Sequence, residues 1–552
     1  MACPKLTFRI IALLALISQH TYATKRYTDS VALKKHTDSV VLNLRQKIDR
    51  LKITGLTIDD IRYAPVDNYM RPGAKRPMKR LPAFYRVAIT LSPVPASNIK
   101  IEVWLPQKTW NGRFLGTGNG GGGGSMPTGS LAQGIKMGYA TGSTDMGTSP
   151  DANLAYGHPE KWVDFGYRST HEMTVVSKAV LKAFYNQTQQ YAYFVGCSTG
   201  GQQAVMESQR YPLDYNGIIA GAPANNRTHL HTNFLLNYLS LKHGPADSLF
   251  TKDEIAAISR TIVTAFAGKD GGNASDNFLT DPRMVKFDPA VFFKERGLNF
   301  NDRQIAALKA IYAGPKNPKT GEQIYTSAPY GSEISSLGFV NQQNPKILPA
   351  EVFYQLYWVF GRDYDYTKFD FDKDQAKLDA VLAPLLNAND PDMNPFKKAG
   401  AKLIMFTGTA DPAVPFEDAV NYYERVVKKQ GSLKNTQDFF RYFLVPGMGH
   451  CGGGFGVNDF GQNLNTSTTA TSENNIFLAL VKWVEQGVAP EKIVASGFAC
   501  CVVKGGVHFQ RPLYPYPKFP QYTSGDINAA SSYTGVAHAR GMVIQPAEKY
   551  LK

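Results

Sequence analysis

Short apolar runs and amphipathic stretches alternate along the chain between residues 61 and 224. YRVAITLSP and NIKIEVWLP are rich in β-branched and apolar residues, and they predict an opening pair of antiparallel strands. Four later segments predict strands: GRFLG, GYATG, YAYFVG and YNGIIAG. Two segments predict helices: STHEMTVVSKAVLKAFYN and GQQAVMESQRYP. Alternation of this kind predicts an α/β protein with a mainly parallel sheet covered on both faces.

The pattern changes between residues 225 and 384. Helical stretches such as KDEIAAISRTIVTAFAG are mixed there with the aromatic loop YWVFGRDYDYTKFDFD, which predicts an inserted domain. The α/β pattern resumes with AKLIMFTGTADP, DFFRYFLVPGMGH and the helix NNIFLALVKWVEQG. We therefore expect a core domain made of residues 61–224 and 385–552, interrupted by the insertion 225–384.

The two ends of the chain have their own patterns. Residues 24–60 include DSVVLNLRQKIDRLKI and predict an N-terminal helical segment. The C-terminal stretch YPYPKFPQY is rich in proline and tyrosine, and we expect it to pack as coil.

The first 23 residues have the features of a secretory signal peptide. Lys5 and Arg9 precede a short apolar run, and the small-residue sequence TYA places a cleavage site near Ala23. The run is too short to span a bilayer, so we expect no stable membrane insertion. The sequence therefore predicts a secreted or periplasmic protein.

Composition and charge exclude some classes of partner. The chain has 552 residues, 43% of them hydrophobic and 19% charged, as in globular proteins. The formal net charge of +15 favours anionic partners in general. The chain has neither a long Lys/Arg run nor a nucleic-acid-binding motif, so we expect no nucleic-acid partner. Nothing in the sequence indicates an oligomeric state.

Residues 196–200, GCSTG, fit the G-x-S-x-G pattern of a nucleophile elbow. The apolar strand before this motif and the helix after it are the required context. A serine in such a turn adopts a strained conformation with its hydroxyl exposed, and the backbone approaches so closely that glycine is needed beside it. The pattern therefore predicts that Ser198 is a nucleophile, against the alternative of a structural turn.

A serine nucleophile needs a base, and the base needs a carboxylate that orients it. In this type of fold the chain order is serine, acid, histidine, each after a strand. Asp411 follows KLIMFTGTA, and His450 follows RYFLV and a short turn. We expect His450 to accept the proton of Ser198 and Asp411 to hold the imidazole, although an Asp-Pro turn and a loop histidine are common alternatives.

The cysteines add a possible covalent link. Four of the five remain after signal removal, Cys197, Cys451, Cys500 and Cys501, and they allow three pairings. If the triad forms, Cys197 and Cys451 lie near each other, and an oxidising compartment favours a disulfide between them. Two buried thiols are the alternative, and the adjacent pair Cys500–Cys501 is compatible with either oxidation state.

The oxyanion of an acyl transfer also needs hydrogen-bond donors. The N–H of Thr199, directly after the nucleophile, is one predicted donor. The glycine-rich run GNGGGGG, residues 118–124, lies where the loop with the second donor is expected, and we assign Gly121 as this donor. A phosphate-binding loop is discounted, because neither a G-K-[ST] ending nor a G-x-G-x-x-G with a following acidic residue is present.

These motifs resemble the tannase and feruloyl esterase family of secreted α/β-hydrolases, which includes mono(2-hydroxyethyl) terephthalate hydrolase. The resemblance covers about residues 50–535, on GSTDMGTS, CSTGGQQAVMESQRYPLDYNGIIAGAPA and SGDINAA, and on the pairs Cys197-Ser198 and His450-Cys451. It implies an α/β-hydrolase core with a large inserted lid domain and a bridge between Cys197 and Cys451. It also implies a serine carboxylesterase that cleaves esters of aromatic acids through an acyl-serine. A short-chain aliphatic esterase and a non-catalytic binding protein are the alternatives.

The resemblance also places substrate-binding residues in the lid. Trp358, with Tyr354, Tyr357 and Phe360, is expected to stack on the aromatic acyl group of a small ester substrate, and Arg362 to pair with a carboxylate. A lid core would be aromatic as well, which is the alternative.

Lids of this family usually bind calcium, but this chain departs from the usual loop. The corresponding stretch AGKDGGNASDNFLTDP retains Asp270 and Asp276, with Gly272 and Phe278 as possible carbonyl donors, and it lacks the first aspartate. We expect no cofactor for the chemistry and at most a structural Ca²⁺ at this loop. Cysteines near the C-terminus and in the lid are also missing relative to the family, with Tyr514 and Gly535 near two of those places.

Overall fold

A twisted central sheet organises the computed structural model, which describes residues 37–71, 73–148, 155–242, 248–335, 337–343, 349–498, 507–537 and 544–552. The strand order is β1-β2-β3-β5-β4-β6-β7-β8-β9. The bounds are β1 Leu56–Ala64, β2 Phe84–Leu91, β3 Ile99–Pro106, β4 Arg113–Thr117, β5 Ala140–Thr144, β6 Tyr191–Cys197, β7 Gly217–Gly221, β8 Lys402–Gly408 and β9 Phe440–Val445.

The sheet combines an antiparallel edge with a parallel majority. β1, β2, β3 and β5 pair antiparallel in that order. β5, β4, β6, β7, β8 and β9 pair parallel. The predicted antiparallel opening pair and the mainly parallel sheet are thus both confirmed. All carboxyl ends of the parallel strands lie at one edge, where loops can bring distant residues together.

Helices cover both faces of the sheet, because apolar side chains of each strand alternate between two cores. In β8, Leu403 and Met405 pack on one face, and Ile404 and Phe406 on the other. The core helices are 37–49 (α1), Thr128–Lys136 (α2), Pro159–Val163 (α3), Ser169–Tyr185 (α4), Thr199–Arg210 (α5), Asn394–Lys398 (α13), Phe416–Gln430 (α14), Leu433–Gln437 (α15) and Ile476–Gln486 (α16). Both faces are buried, which explains why β6, β7, β8 and β9 are mostly apolar.

A group of helices between β7 and β8 forms the lid. Its helices are Arg227–Leu241 (α6), Lys252–Phe266 (α7), Pro289–Lys294 (α8), Asp302–Ala313 (α9), Phe339–Gln342 (α10), Pro349–Phe360 (α11) and Lys373–Leu386 (α12). α7 and α9 begin with reciprocal capping boxes, Thr251 with Glu254 and Asn301 with Gln304. α6, α11 and α12 pack together over the carboxyl edge of the sheet and position the residues that face the catalytic motifs.

Two expectations for the chain ends need correction. The predicted N-terminal helix is present over residues 37–49, but the helical segment 24–60 does not extend to its predicted end. Its last residues belong to β1, whose side chains alternate in burial and which pairs with β2. The C-terminal stretch is not coil. Lys518–Tyr522 (β12) pairs with Tyr533–Ala537 (β13), and Ile493–Gly497 (β10) pairs with Phe509–Leu513 (β11). Pro520 is tolerated because β12 belongs to a two-stranded sheet with a free edge.

Some sequence expectations concern residues that the structure does not describe. The signal peptide 1–23 and the pair Cys500–Cys501 lie outside the described ranges. Within those ranges, none of the helices combines the length and apolar character that crossing a bilayer requires.

Candidate active site

Ser198 stands alone between β6 and α5, in the strained turn that its motif predicts. Its φ of 65° and ψ of −120° are rare for a residue with a side chain. Its N–H donates to the Gly221 carbonyl at 3.0 Å, which fixes the turn against β7. A Cβ on Gly196 would lie 2.3 Å from the Gly200 carbonyl oxygen, so only glycine fits there. The backbone therefore holds Ser198 at the carboxyl edge of the sheet.

Asp411 and His450 come together at the same edge, from the loops after β8 and β9. The carboxylate of Asp411 is fully buried, and its Oδ2 lies 2.8 Å from Nδ1 of His450. Its Oδ1 accepts from the N–H groups of Ala413 and Val414, both at 2.9 Å. These three contacts fix the carboxylate, which in turn orients the imidazole through Nδ1 and leaves Nε2 as the nitrogen for proton exchange.

The surroundings of His450 have opposing effects on its pKa. Burial lowers the pKa of His450, while the charge of Asp411 and the hydrogen bond to it raise that pKa. The positive charge of Arg227 opposes this increase. The net result is a His450 pKa above the ordinary value of 6.5.

A disulfide joins the turn that carries Ser198 to the turn that carries His450. Cys197 and Cys451 are bonded, with their Cα atoms 6.0 Å apart and 254 positions apart in sequence. The predicted pairing is therefore confirmed. Because each cysteine is adjacent to a predicted catalytic residue, the bond restricts the distance between nucleophile and base.

Ser198 and His450 both line a cavity of about 540 Å³ between the sheet edge and the lid. Cavities of this size hold small organic ligands. Most of the wall is apolar or aromatic. The lining side chains outside the catalytic motifs are Ala224, Arg227, Leu230, His231, Phe234, Tyr238, Leu337, Asn341, Gln342, Tyr354, Ala413 and Val414.

The two predicted oxyanion donors lie next to each other in the cavity wall. Thr199 is the first residue of α5, and Gly121 lies in the loop after β4, where its φ of 56° suits glycine. The Thr199 hydroxyl donates to the Gly121 carbonyl at 2.6 Å. Among the described residues, neither backbone N–H has a hydrogen-bond partner, so both are available to a ligand oxygen.

Among the cavity residues that sequence reasoning missed, Arg227 and His231 are the two nearest in type to catalytic side chains. They stand one turn apart on α6 and are 4% and 3% exposed. Arg227 contacts both oxyanion-donor residues. Burial, followed by the charge of Arg227, holds the pKa of His231 well below its ordinary value, so this imidazole is neutral. The available signal was the R-x-x-x-H spacing directly after the strand GIIAG, which places both side chains on one helix face.

The predicted substrate residues of the lid need correction. Trp358 is 1% exposed and packs on Phe165 and Trp162, behind the cavity wall. Arg362 is exposed beyond the end of α11 and is not part of that wall. Of the lid aromatics proposed from sequence, Tyr354 is the one that lines the cavity. Tyr354 on α11 lines the same cavity as Ser198, whereas Trp358, one turn further along this helix, does not line it.

The residues of the predicted calcium loop do not fit a calcium ion. The Asp270 carboxylate accepts from the backbone N–H groups of Gly272 and Thr280. Asp276 accepts from Asn273 N–H and forms a 2.6 Å ion pair with Arg511. Phe278 is buried against Phe509. Two carboxylates that are already bonded, one of them to a guanidinium, fall short of the six to eight oxygens that calcium needs.

One further cluster has the residue types of a metal site. Ligand atoms of His171, Glu207 and Asp214 lie within 4.8 Å of one another. His171 Nδ1 is already 2.7 Å from Asp214. Burial, followed by the charge of Asp214, raises the pKa of Glu207 well above its ordinary value, so this carboxyl is protonated. The cluster therefore has an internal arrangement of charges and protons that does not require a metal.

The chain is similar to known esterases. A family model described as "Tannase and feruloyl esterase" matches residues 86–536. An uncharacterized esterase of Xanthomonas campestris is 32% identical over 532 residues, covering 90% of this chain and 92% of the relative. A probable feruloyl esterase B-1 of Aspergillus flavus is 32% identical over 421 residues, covering 75% and 78%.

A solved structure has the same architecture. The crystal structure of feruloyl esterase B from Aspergillus oryzae matches with a TM-score of 0.81 and 26% sequence identity. The match covers 90% of this chain and 100% of that one. The expected α/β-hydrolase core is thereby confirmed.

We expect loss of the Cys197–Cys451 bond to reduce both stability and catalysis. Closing a loop of this length removes about 5 kcal/mol of unfolded-state entropy in the chain-entropy model. The variant Cys197→Ala/Cys451→Ala should therefore unfold at lower urea concentration than the wild type, and its kcat should fall more than its KM rises. Wild-type protein with the bond reduced and alkylated should behave in the same way. Equal urea midpoints, with reduction verified by thiol counting, would contradict this expectation.

Proposed function

Because the chain belongs to the tannase and feruloyl esterase family, and is a carboxylic ester hydrolase, we propose that it cleaves esters of aromatic acids through an acyl-serine intermediate. The observation that carries this proposal is the cavity shared by Ser198 and His450. Its wall includes Phe234, Tyr238 and Tyr354, whose rings can pack on an aromatic acyl group.

The proposed reaction uses the side chains of Ser198, His450 and Asp411 in turn. The Ser198 hydroxyl oxygen attacks the ester carbonyl carbon, while Nε2 of His450 accepts the hydroxyl proton. The imidazolium, stabilised by Asp411, then donates this proton to the leaving alcohol as the carbon–oxygen bond breaks. Water, deprotonated by the same nitrogen, hydrolyses the acyl-serine and releases the acid.

The negative charge of each tetrahedral intermediate develops on the former carbonyl oxygen. We assign its stabilisation to the N–H groups of Thr199 and Gly121, as the sequence predicts. Thr199 also lies at the N-terminus of α5, where the helix dipole favours negative charge.

We also propose that the protein works outside the cytoplasm, in the periplasm or the medium. The signal-like pattern of residues 1–23 supports this location, and so does the Cys197–Cys451 bond, since disulfides persist in oxidising compartments.

We infer further that the lid loop around Asp270 closes without calcium. In this arrangement Arg511, from β11, supplies the positive charge that Asp276 needs, and the backbone N–H groups satisfy Asp270. The ion pair is well shielded, with the Arg511 side chain 3% and the Asp276 side chain 8% exposed. A guanidinium then takes over the structural role that a cation has in a metal-bound loop.

A small ester panel tests the catalytic proposal. We expect methyl ferulate, methyl gallate or a terephthalate monoester to be cleaved with higher kcat/KM than p-nitrophenyl butyrate. Ser198→Ala should lower kcat on every ester by about 10⁴-fold or more, because the nucleophile is lost. The variant should retain the wild-type circular dichroism spectrum. Much faster cleavage of the aliphatic acyl group would favour a short-chain esterase, and full activity of Ser198→Ala would contradict the acyl-serine mechanism.

We expect the activity to fall at acidic pH as His450 becomes protonated. The base must be neutral, and the His450 pKa is raised, so kcat/KM should decline as the pH drops through a value above 6.5. The measurement is kcat/KM for a neutral ester between pH 5 and pH 9. In Asp411→Asn, which lacks the charge that raises this pKa, the residual activity should decline at lower pH than in the wild type. A wild-type profile that is flat down to pH 5 would rule out this role for His450.

Thermal unfolding tests the metal-independent loop. We expect the wild-type Tm to be the same in EDTA and in millimolar CaCl₂. Arg511→Met should lower the stability by about 3–5 kcal/mol, because it leaves the buried Asp276 carboxylate without its partner. The matched control is Lys309→Met, which breaks an exposed ion pair with Asp288 and should cost less than about 1 kcal/mol. A saturable increase of the wild-type Tm with Ca²⁺ would overturn the inference, whether or not Arg511→Met folds.

A further inference from the structure

The two assigned oxyanion donors come from separate parts of the fold. Thr199 begins α5, and Gly121 belongs to the loop after β4, 78 positions earlier in the chain. Two donors act together on one oxygen only if their separation is fixed, since misplacement by about 1 Å can cost 10²-fold in rate. Some contact must therefore hold the glycine loop to the start of α5.

Arg227 makes this contact in addition to the direct bond between the two residues. Its Nη1 donates to the Thr199 hydroxyl oxygen at 2.9 Å, and its Nη2 donates to the Gly121 carbonyl at 3.0 Å. The Thr199 hydroxyl in turn donates to the same carbonyl. The three residues form a closed ring of hydrogen bonds directly beside Ser198.

The other contacts of the guanidinium hold it in place without neutralising it. Nη1 also donates to Gln202 Oε1 at 3.2 Å, and Nη2 donates to the Tyr354 hydroxyl. All four acceptors are uncharged. Among the described residues, Arg227 has no carboxylate partner within ion-pair distance, although it is 4% exposed. A buried, uncompensated cation is costly to the resting protein and strengthens its interaction with any anion formed nearby.

We propose that Arg227 is a positioning residue that joins Thr199 and Gly121 into one rigid oxyanion site and directs positive charge toward the developing oxyanion. The proposal rests on the acyl-serine mechanism given above. The planar fork of an arginine is required, because two different acceptors must be held at once. The N–H groups of Arg227 that donate to Thr199 and Gly121 are not free to bind the substrate. The role of Arg227 is therefore to organise the oxyanion site and not to bind the substrate directly.

The positive charge of Arg227 also acts on His450, the proposed general base. Two charged groups affect His450, Asp411 from the loop after β8 and Arg227 from α6. The other titratable side chains of the cavity wall are His231, Tyr238 and Tyr354. Burial holds the pKa of His231 well below its ordinary value and raises the pKa of Tyr238, so neither of these two side chains is charged near pH 7. Loss of the Arg227 charge should therefore move the acidic limb of the pH profile, which loss of packing alone would not do.

The test compares Arg227→Met with Arg227→Lys on p-nitrophenyl butyrate, so that the result does not depend on a preference for aromatic acids. Arg227→Met should lower kcat by about 10- to 100-fold with KM changed less than about 3-fold, and its acidic limb should move to higher pH. Arg227→Lys retains the charge and loses the fork, so kcat should fall while the limb stays near its wild-type position.

Arg441→Met is the matched control, since Arg441 is also buried and bonds to backbone carbonyls, at the far end of β9. It should change stability but neither kcat nor the pH limb. Wild-type kcat and an unmoved limb in Arg227→Met would overturn the proposal. If that variant does not fold, wild-type kcat in Arg227→Lys overturns it. Activity that persists in Ser198→Ala would instead contradict the mechanism on which the proposal rests.

Discussion

The bond between Cys197 and Cys451 is the constraint on which the site depends. The parallel sheet brings the ends of β6 and β9 to one edge, but β7 and β8 lie between them in the strand order. Side chains from non-adjacent strands meet only if their loops bend toward each other. The disulfide fixes this approach covalently, one residue from Ser198 on one side and one residue from His450 on the other.

Backbone hydrogen bonds attach two further loops to the turn that carries Ser198. The N–H of Ala224 donates to the carbonyl of Ser198 at 3.2 Å, so the loop after β7 is attached to the elbow before α6 starts. Arg227 follows three residues later. The N–H of Gly200 donates to the Asn119 carbonyl at 2.8 Å and attaches the glycine loop from the other side. Ser198 thus sits among three loops, each of which is fixed to the turn that carries this serine.

The sequence predicted the parts of the site that local chemistry dictates and missed those that packing decides. A strand–turn–helix with glycines at the correct positions specifies Ser198, and chain order within a parallel sheet specifies Asp411 and His450. The cavity wall depends instead on how α6 and α11 rotate over the sheet edge, which apolar periodicity does not encode when every face is buried. Trp358 and Tyr354 stand one turn apart on the same helix, and only packing decides which of them faces Ser198. Similarly, the pairing of β12 with β13 depends on a partner strand that no local pattern identifies.

Arg227 and His231 also bear on the proposed reaction, which needs a site for an aromatic ring beside a developing negative charge. A carboxylate beside Arg227 would neutralise it and repel the oxyanion, whereas its four neutral acceptors fix its position and leave its charge available. Burial, together with the same charge, keeps His231 neutral, so this part of the wall stays compatible with an uncharged ring. Arg227 brings a positive charge to the part of the cavity next to Thr199 and Gly121, and most of the remaining wall is apolar or aromatic. The charge therefore acts most strongly when the carbonyl oxygen becomes an anion, which is the condition for stabilising a transition state more than a bound substrate.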